Sequence, residues 1–271
     1  MPNKSISFIG TGKMAAALIS CIYKKNLARE IIASDHREEN LKKLNKKIFN
    51  QKLKIFFTTD NKEAVRNSEI VFICVKPQDF DVVLNEIKDE IKNQLIVSIA
   101  AGIKTKRIES IIGKKKVIRV LPNINCIVGE MAAGFSAGKY ATKEDIKNIE
   151  AILNSAGLSF FIEENLIDAL SVIGAGTGPA FFSLFIKYLA EAGIKLGVPK
   201  EIAIKSVAQT ALGTGKLILE KNLSPDEIIS MVASKKGTTV AGLKVLKKNK
   251  LKNILQKTVN ASYKRSMELG K

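Results

Sequence analysis

Tryptophan is absent from the 271-residue chain, and there is a single histidine, His36. One histidine argues against a histidine-rich metal centre and against a Ser-His-Asp triad. The three cysteines, Cys21, Cys74 and Cys126, are odd in number and lack metal-ligand spacing. They are expected as reduced thiols in a cytoplasmic protein, with no metal bound. No stretch of about 18 or more uninterrupted apolar residues occurs, so no membrane-spanning helix is expected. The chain opens on a strand pattern, so no signal peptide is expected. Internal repeats and low-complexity segments are missing. Acidic residues are few beside basic ones, 26 against 44, for a net charge of +18. No RNA-binding motif or aromatic stacking run accompanies that charge, and the lysines alternate with glutamates, as in Lys143-Glu144-Asp145-Ile146-Lys147. Solvated helix faces explain it best, with a field that draws in small anions. Neither a nucleic acid nor a membrane is expected as a partner.

What is present begins at once. Ser5-Ile6-Ser7-Phe8-Ile9 is an apolar run that meets Gly10-Thr11-Gly12-Lys13-Met14-Ala15, and a small-residue helix follows. This is how a dinucleotide-binding βαβ unit starts. Gly10 allows the tight turn, Gly12 lets backbone approach a pyrophosphate, and Ala15 lets helix and strand pack closely. The free N–H groups and the positive end of the helix dipole face the phosphates. An acidic residue, Asp35, closes the next apolar run, where either a ribose contact or a cap on the helix starting near Glu38 is expected. The plain alternative is a strand-turn-helix without a ligand.

Up to about residue 165, apolar strands alternate with amphipathic helices. Strands are predicted at 6–9, 31–34, 55–57, 70–75, 95–100, 116–120 and 159–162, and helices at 38–47, 62–67, 82–91 and 143–156. Several strands are apolar throughout, as parallel strands covered on both faces are. The pattern predicts an α/β fold with a doubly wound sheet in residues 1–165. After Ile162 the strand pattern stops. Gly174–Ala180 reads as a loop leading into a helix, Ala180–Lys195, with Phe181, Phe182, Leu184, Phe185, Ile186 and Leu189 on a broad apolar surface. Pro199 and Pro225 open two more helices, and the last spans about Leu251–Leu269. Residues 166–271 are therefore expected to form an all-helical domain. A few long apolar helices bury their faces by pairing with another copy, so a homodimer at least is expected.

Beyond the C-terminal strand ends, where open α/β sheets bind ligands, lie Cys74-Val75-Lys76-Pro77, Ala100-Ala101-Gly102 and Leu121-Pro122-Asn123. Each taken singly is a plain strand-to-loop junction; with the glycine turn they point to a cofactor cleft. Far downstream, Ser234-Lys235-Lys236-Gly237-Thr238-Thr239 stands between helices. Such a segment makes a backbone nest for a carboxylate, or a simple helix cap.

In these blocks the chain resembles pyrroline-5-carboxylate reductases over nearly its whole length. The most specific matches are Gly176-Thr177-Gly178-Pro179-Ala180 and Gly237-Thr238-Thr239, in order behind the earlier four. The resemblance implies a Rossmann-type N-terminal domain, an all-helical C-terminal dimerisation domain and the last step of proline synthesis. It implies homodimers, with assembly into larger rings left open, and NADPH as cofactor, with NADH also usable. By the same resemblance Ile9, Gly10, Thr11, Gly12, Lys13 and Met14 cradle the pyrophosphate. Ser34 and Asn61 lie near the adenosine ribose; apart from the resemblance, Arg37 stands two residues beyond Asp35, where a clamp on a 2′-phosphate is expected. Cys74, Val75, Lys76, Pro77, Ala101 and Gly102 line the nicotinamide side. Ser234, Gly237, Thr238 and Thr239 hold the substrate, and Thr239 is the candidate catalytic donor to the imine nitrogen. The family usually reads Ser-Pro-Gly-Gly where this chain has Ser234-Lys235-Lys236-Gly237. It often reads Met-Pro-Asn-Thr-Pro where this chain has Leu121-Pro122-Asn123-Ile124-Asn125. A β-hydroxyacid dehydrogenase of similar plan would carry a lysine at the start of a C-terminal helix; after Gly178 none occurs before Lys187.

Overall fold

The computed structural model describes residues 4–47 and 54–269. They fall into two compact units, Met1–Pro179 with Tyr263–Lys271, and Ala180–Ser262. The first unit is built on one eight-stranded sheet of order β3-β2-β1-β4-β5-β6-β7-β8. Its strands are β1 (Ser5–Ile9), β2 (Glu30–Ser34), β3 (Lys54–Thr58), β4 (Ile70–Ile73), β5 (Leu95–Ser98), β6 (Lys116–Leu121), β7 (Met131–Ala137) and β8 (Gly157–Phe161). The first six are parallel, β7 runs antiparallel to β6, and β8 is parallel to β7. Helices α1 (Lys13–Lys24), α2 (Glu38–Lys47), α3 (Asn61–Arg66), α4 (Pro77–Ile87), α5 (Thr105–Ile112), α6 (Lys143–Leu153) and α7 (Glu164–Leu170) accompany it. The unbroken apolar runs are the central strands: every residue of β1, β4 and β5 is buried. Phe8 and Phe72 stack across β1 and β4 with ring centres 4.8 Å apart. Strand order reverses between those two strands, which opens a crevice at their C-terminal ends.

Several features depart from the sequence expectation. Strand β7 was not expected, because Met131-Ala132-Ala133-Gly134-Phe135-Ser136-Ala137 has no β-branched residue to mark it. It is held by register with β6 and by Phe135, which is buried and packs on Phe161 at 5.3 Å. Helix α4 starts at Pro77, earlier than the expected Val82, since proline suits the first helical position. The expected loop at Gly174–Ala180 is largely helical. Ser171–Ala175 form a π-helical turn, and the Gly176 and Thr177 amides both donate to the Ser171 carbonyl, at 2.7 and 3.1 Å. A Cβ on Gly176 would collide with the Ser171 hydroxyl, so glycine there serves the wide turn.

The remaining helices are α8 (Gly178–Lys195), α9 (Lys200–Lys221), α10 (Pro225–Val232), α11 (Thr238–Lys248) and α12 (Leu251–Leu269). Pro179 sits in the first turn of α8 and Pro225 opens α10, as expected. Between residues 180 and 262 the buried hydrophobic residues are Ala190 and Ala203. Phe182, Tyr188 and Leu189 are 64%, 57% and 60% exposed. A helical unit with so little core of its own requires a partner surface. By length and composition alone the helical run Glu164–Lys195 is apolar enough to cross a membrane; a subunit interface draws on the same apolar residues. Light scattering at micromolar concentration should give at least twice the chain mass. Phe182→Asp combined with Leu189→Asp should reduce that mass or cause aggregation.

Candidate active site

The crevice at the β1/β4 reversal begins with the turn after β1. The Gly10 amide donates to the Ser34 carbonyl (2.8 Å) and the Cys74 amide to the Ile9 carbonyl (2.8 Å), so the turn is stitched to both neighbouring strands. Gly10 has φ +88°, and a Cβ there would stand 3.0 Å from Val75 Cγ1 and 3.1 Å from the Cys74 carbonyl carbon. Conformation and space both demand glycine. Gly12 differs. Its φ is −64°, it is the N-cap of α1, and a Cβ on it would meet nothing within 4 Å. No side chain caps α1, and its first turn carries no acidic residue. The amides there are open to an anion beside an unfilled space at Gly12. Lys13 is exposed and Met14 half-buried at the same turn. These residues fit a pyrophosphate.

The turn is held from the side by Asp35. One carboxylate oxygen accepts from the Thr11 amide (2.8 Å), the Thr11 hydroxyl (2.9 Å) and the Asn40 side chain (3.1 Å). The other accepts from the Arg37 amide at 3.0 Å. Asp35 is 5% exposed. Burial alone would raise its pKa. The donors, led by the Thr11 and Arg37 amides, outweigh that and hold the carboxyl below its ordinary 3.8. The sequence placed this residue at the ribose or at the start of α2. It does reach the start of α2 through Arg37 and Asn40, but its contact with Thr11 across 24 residues was missed, because only the β1–β2 pairing brings the two together. Beside it, the buried Ser34 hydroxyl donates to Asn61 Oδ1 (2.7 Å), and the Asn61 amide donates to Glu86 (3.0 Å). Arg37 is exposed, and its Nε donates to His36 Nε2 at 3.0 Å.

Past β4, Cys74 and Val75 are half-buried, Lys76 is the N-cap of α4 and Pro77 its first residue. Burial pushes the Cys74 thiol far above its ordinary value, so it stays protonated and neutral. Burial, and then the nearby Cys21, push Cys126 up to about 12. Past β5, Ala101 is exposed and Gly102 turns the chain with φ +77°. The structure therefore gathers residues 9–14, Ser34, Asn61, Cys74–Pro77 and Ala101–Gly102 at the C-terminal ends of neighbouring strands.

The helical unit carries the other group. Gly237 is the N-cap of α11, whose first residues are Thr238 and Thr239, and no side chain caps this helix. The Gly237 amide donates to the Ser234 carbonyl at 2.9 Å, and a Cβ on Gly237 would collide with the Ser234 hydroxyl. Lys236 has φ +66°. The left-handed conformation that glycine takes easily is thus adopted by lysine at the site where the family usually has glycine, at a cost of roughly 1–2 kcal/mol. Thr238 and Thr239 stand as two hydroxyls at a helix N-terminus with open amides, an arrangement suited to a carboxylate.

The contrast between the two glycines predicts different failures. Gly12→Val should fold normally and lose at least about tenfold in dinucleotide affinity. Gly10→Ala should lower the melting temperature itself. Asp35→Ala should cost about 1–3 kcal/mol by leaving the buried Thr11 amide unpaired. Because the folded-state pKa is depressed, that stabilisation is full above about 3.8 and is lost as pH falls through the lower folded value. Urea unfolding of both proteins across this range should show the gap closing in acid.

Two family models match the chain. Residues 164–269 match pyrroline-5-carboxylate reductase dimerisation, and residues 5–102 match NADP oxidoreductase, coenzyme F420-dependent. The pyrroline-5-carboxylate reductase of Methanosarcina acetivorans is 38% identical, with 100% of each chain covered. Among solved structures, that of a pyrroline-5-carboxylate reductase from Coxiella burnetii superposes with a TM-score of 0.92, at 29% identity over 99% of both chains. A Plasmodium falciparum pyrroline carboxylate reductase with NADP bound gives 0.85 at 28% identity over 100% of both. The chain therefore belongs to the pyrroline-5-carboxylate reductase family, the self-associating oxidoreductases that reduce this imine to proline with NAD(P)H.

Proposed function

We propose that residues 1–165 bind the dinucleotide and residues 166–271 bind substrate and form the dimer. The observation that carries the cofactor half is the open space at Gly12, beside uncapped amides, in the turn after the strand that borders the sheet reversal. On this reading Ile9, Gly10, Thr11, Gly12, Lys13 and Met14 hold the pyrophosphate, and Ser34 with Asn61 shapes the ribose pocket. Cys74, Val75, Lys76, Pro77, Ala101 and Gly102 form the nicotinamide wall. Once bound there, the nicotinamide supplies a hydride to the imine carbon. Substrate orientation falls to the α11 nest: the backbone around Gly237 and Thr238, with Ser234, fixes the carboxylate. Thr239 donates its hydroxyl hydrogen to the imine nitrogen, favouring the iminium form that accepts hydride, and relays a proton from water. A cytoplasmic location belongs to the same proposal and is supported by the three free cysteines.

The cofactor preference follows from Asp35. Its oxygens are taken up by four protein donors, so they are not directed at a ribose 2′-hydroxyl. Arg37, exposed beside it, is available to a 2′-phosphate. NADPH is therefore preferred and NADH is accepted.

Two substitutions test these assignments. Thr239→Ala should slow imine reduction by roughly 10- to 1,000-fold with cofactor affinity hardly changed. Unimpaired turnover would make Thr239 part of the helix start only. Arg37→Ala should raise KM for NADPH and leave that for NADH nearly unchanged. Equal effects on both cofactors would remove Arg37 from the phosphate contact.

A further inference from the structure

The largest fully buried side chain in the sheet unit is a charged one. Arg119, in the middle of β6, is 0% exposed. Its Nη2 donates to Asp168 at 3.1 Å, and its Nη1 faces Glu164 at 3.8 Å, too far for a hydrogen bond. Both carboxylates lie on α7. Asp168 also accepts from the Ser266 hydroxyl of α12 at 3.4 Å. A buried arginine shared by two carboxylates is weak evidence for stability, since desolvation offsets much of the attraction. Its geometry points elsewhere.

Glu164 reaches past the arginine to the start of α5. Its two oxygens accept from the Thr105 amide and the Thr105 hydroxyl, each at 2.7 Å. The N-cap of α5, Lys104, supplies no side-chain cap. Helix α5 is thus capped by a residue 59 positions later in the chain. The preceding turn has its other stem tied to the sheet, where the Ile99 amide donates to the Ile73 carbonyl (3.2 Å) and the Ala100 amide to Ser98 Oγ (3.3 Å). Only Ala101–Lys104 lie between the two tethers, with Gly102 at their bend. The positive charge of Arg119 stands 3.8 Å from the carboxylate that makes the second tether.

We propose that Arg119, Glu164 and Thr105 are positioning residues that hold the Ala101–Lys104 turn in the geometry hydride transfer requires. The inference rests on the assignment of Ala101 and Gly102 to the nicotinamide wall. It predicts that loss of the tether lowers kcat while leaving binding of the distant adenosine half intact, because small misplacements of a reacting centre cost rate first.

The test compares two substitutions at Thr105, which is buried, in variants that keep the wild-type oligomeric mass. Thr105→Val preserves volume and removes the hydroxyl; it should lower kcat about tenfold with the NADPH Kd changed less than about twofold. Thr105→Ser loses the methyl group and keeps the hydroxyl; it should retain wild-type kcat. A packing role would reverse that order, with the valine variant active and the serine variant impaired, and would overturn the proposal. Glu164→Gln, unable to accept from both Thr105 donors with full charge, should reproduce the valine result, and its failure to do so would likewise count against the tether. Gly102→Ala separates the two levels. If it abolishes turnover while Thr105→Val does not, the tether is refuted and the wall assignment stands. If neither affects turnover, the wall assignment itself is wrong.

Discussion

The turn between β1 and α1 depends on one buried carboxylate. Asp35, at the end of β2, binds the backbone and the side chain of Thr11 in the turn after β1. That contact fixes where the turn leaves the sheet and so where α1 begins. It also frees the amides at the start of α1, because the residue that follows, Gly12, brings no side chain to cap them. A protein that capped this helix internally would gain local stability and lose its anion site. Here the acidic group is spent one residue earlier, on the turn, and the dipole end stays open.

The second unit solves a different problem. Its helices are apolar on faces that the single chain leaves bare, and the two buried alanines cannot sustain a core. Self-association is therefore part of folding as well as of function. The π turn at Ser171–Ala175 stands where the sheet unit gives way to these helices. Its wide ring is made possible by Gly176, so a block that reads as a flexible glycine loop is a constrained piece of helix.

Legibility followed the local character of each signal. The glycine turn, the apolar central strands and the prolines opening α8 and α10 are local and were read directly. Strand β7 carried no β-branched residue, and α5 lacked a capping side chain of its own, so both were invisible until their long-range partners were placed. The candidate site divided in the same way. Gly10 and Gly12 sit in a recognisable pattern, yet only the coordinates show that one serves the fold and the other leaves room for a ligand. Asp35 was noticed, for the ribose or for the start of α2, but its bond to Thr11 was not, and Arg119 was passed over, because each acts on a residue far away in sequence. At the Lys235-Lys236 departure, Lys236 adopts the left-handed conformation that glycine takes more easily.

The central claim is that this chain passes a hydride from a reduced nicotinamide to the imine carbon of pyrroline-5-carboxylate. Its most direct test is a single turnover with NADPH deuterated at the transferring position of nicotinamide C4, followed by mass spectrometry and NMR of the product. The account predicts one deuterium per molecule of proline, carried on Cδ, with one NADPH oxidised for each. NADPH oxidation without deuterium in proline, or no reduction of this imine by the folded oligomer, would contradict it.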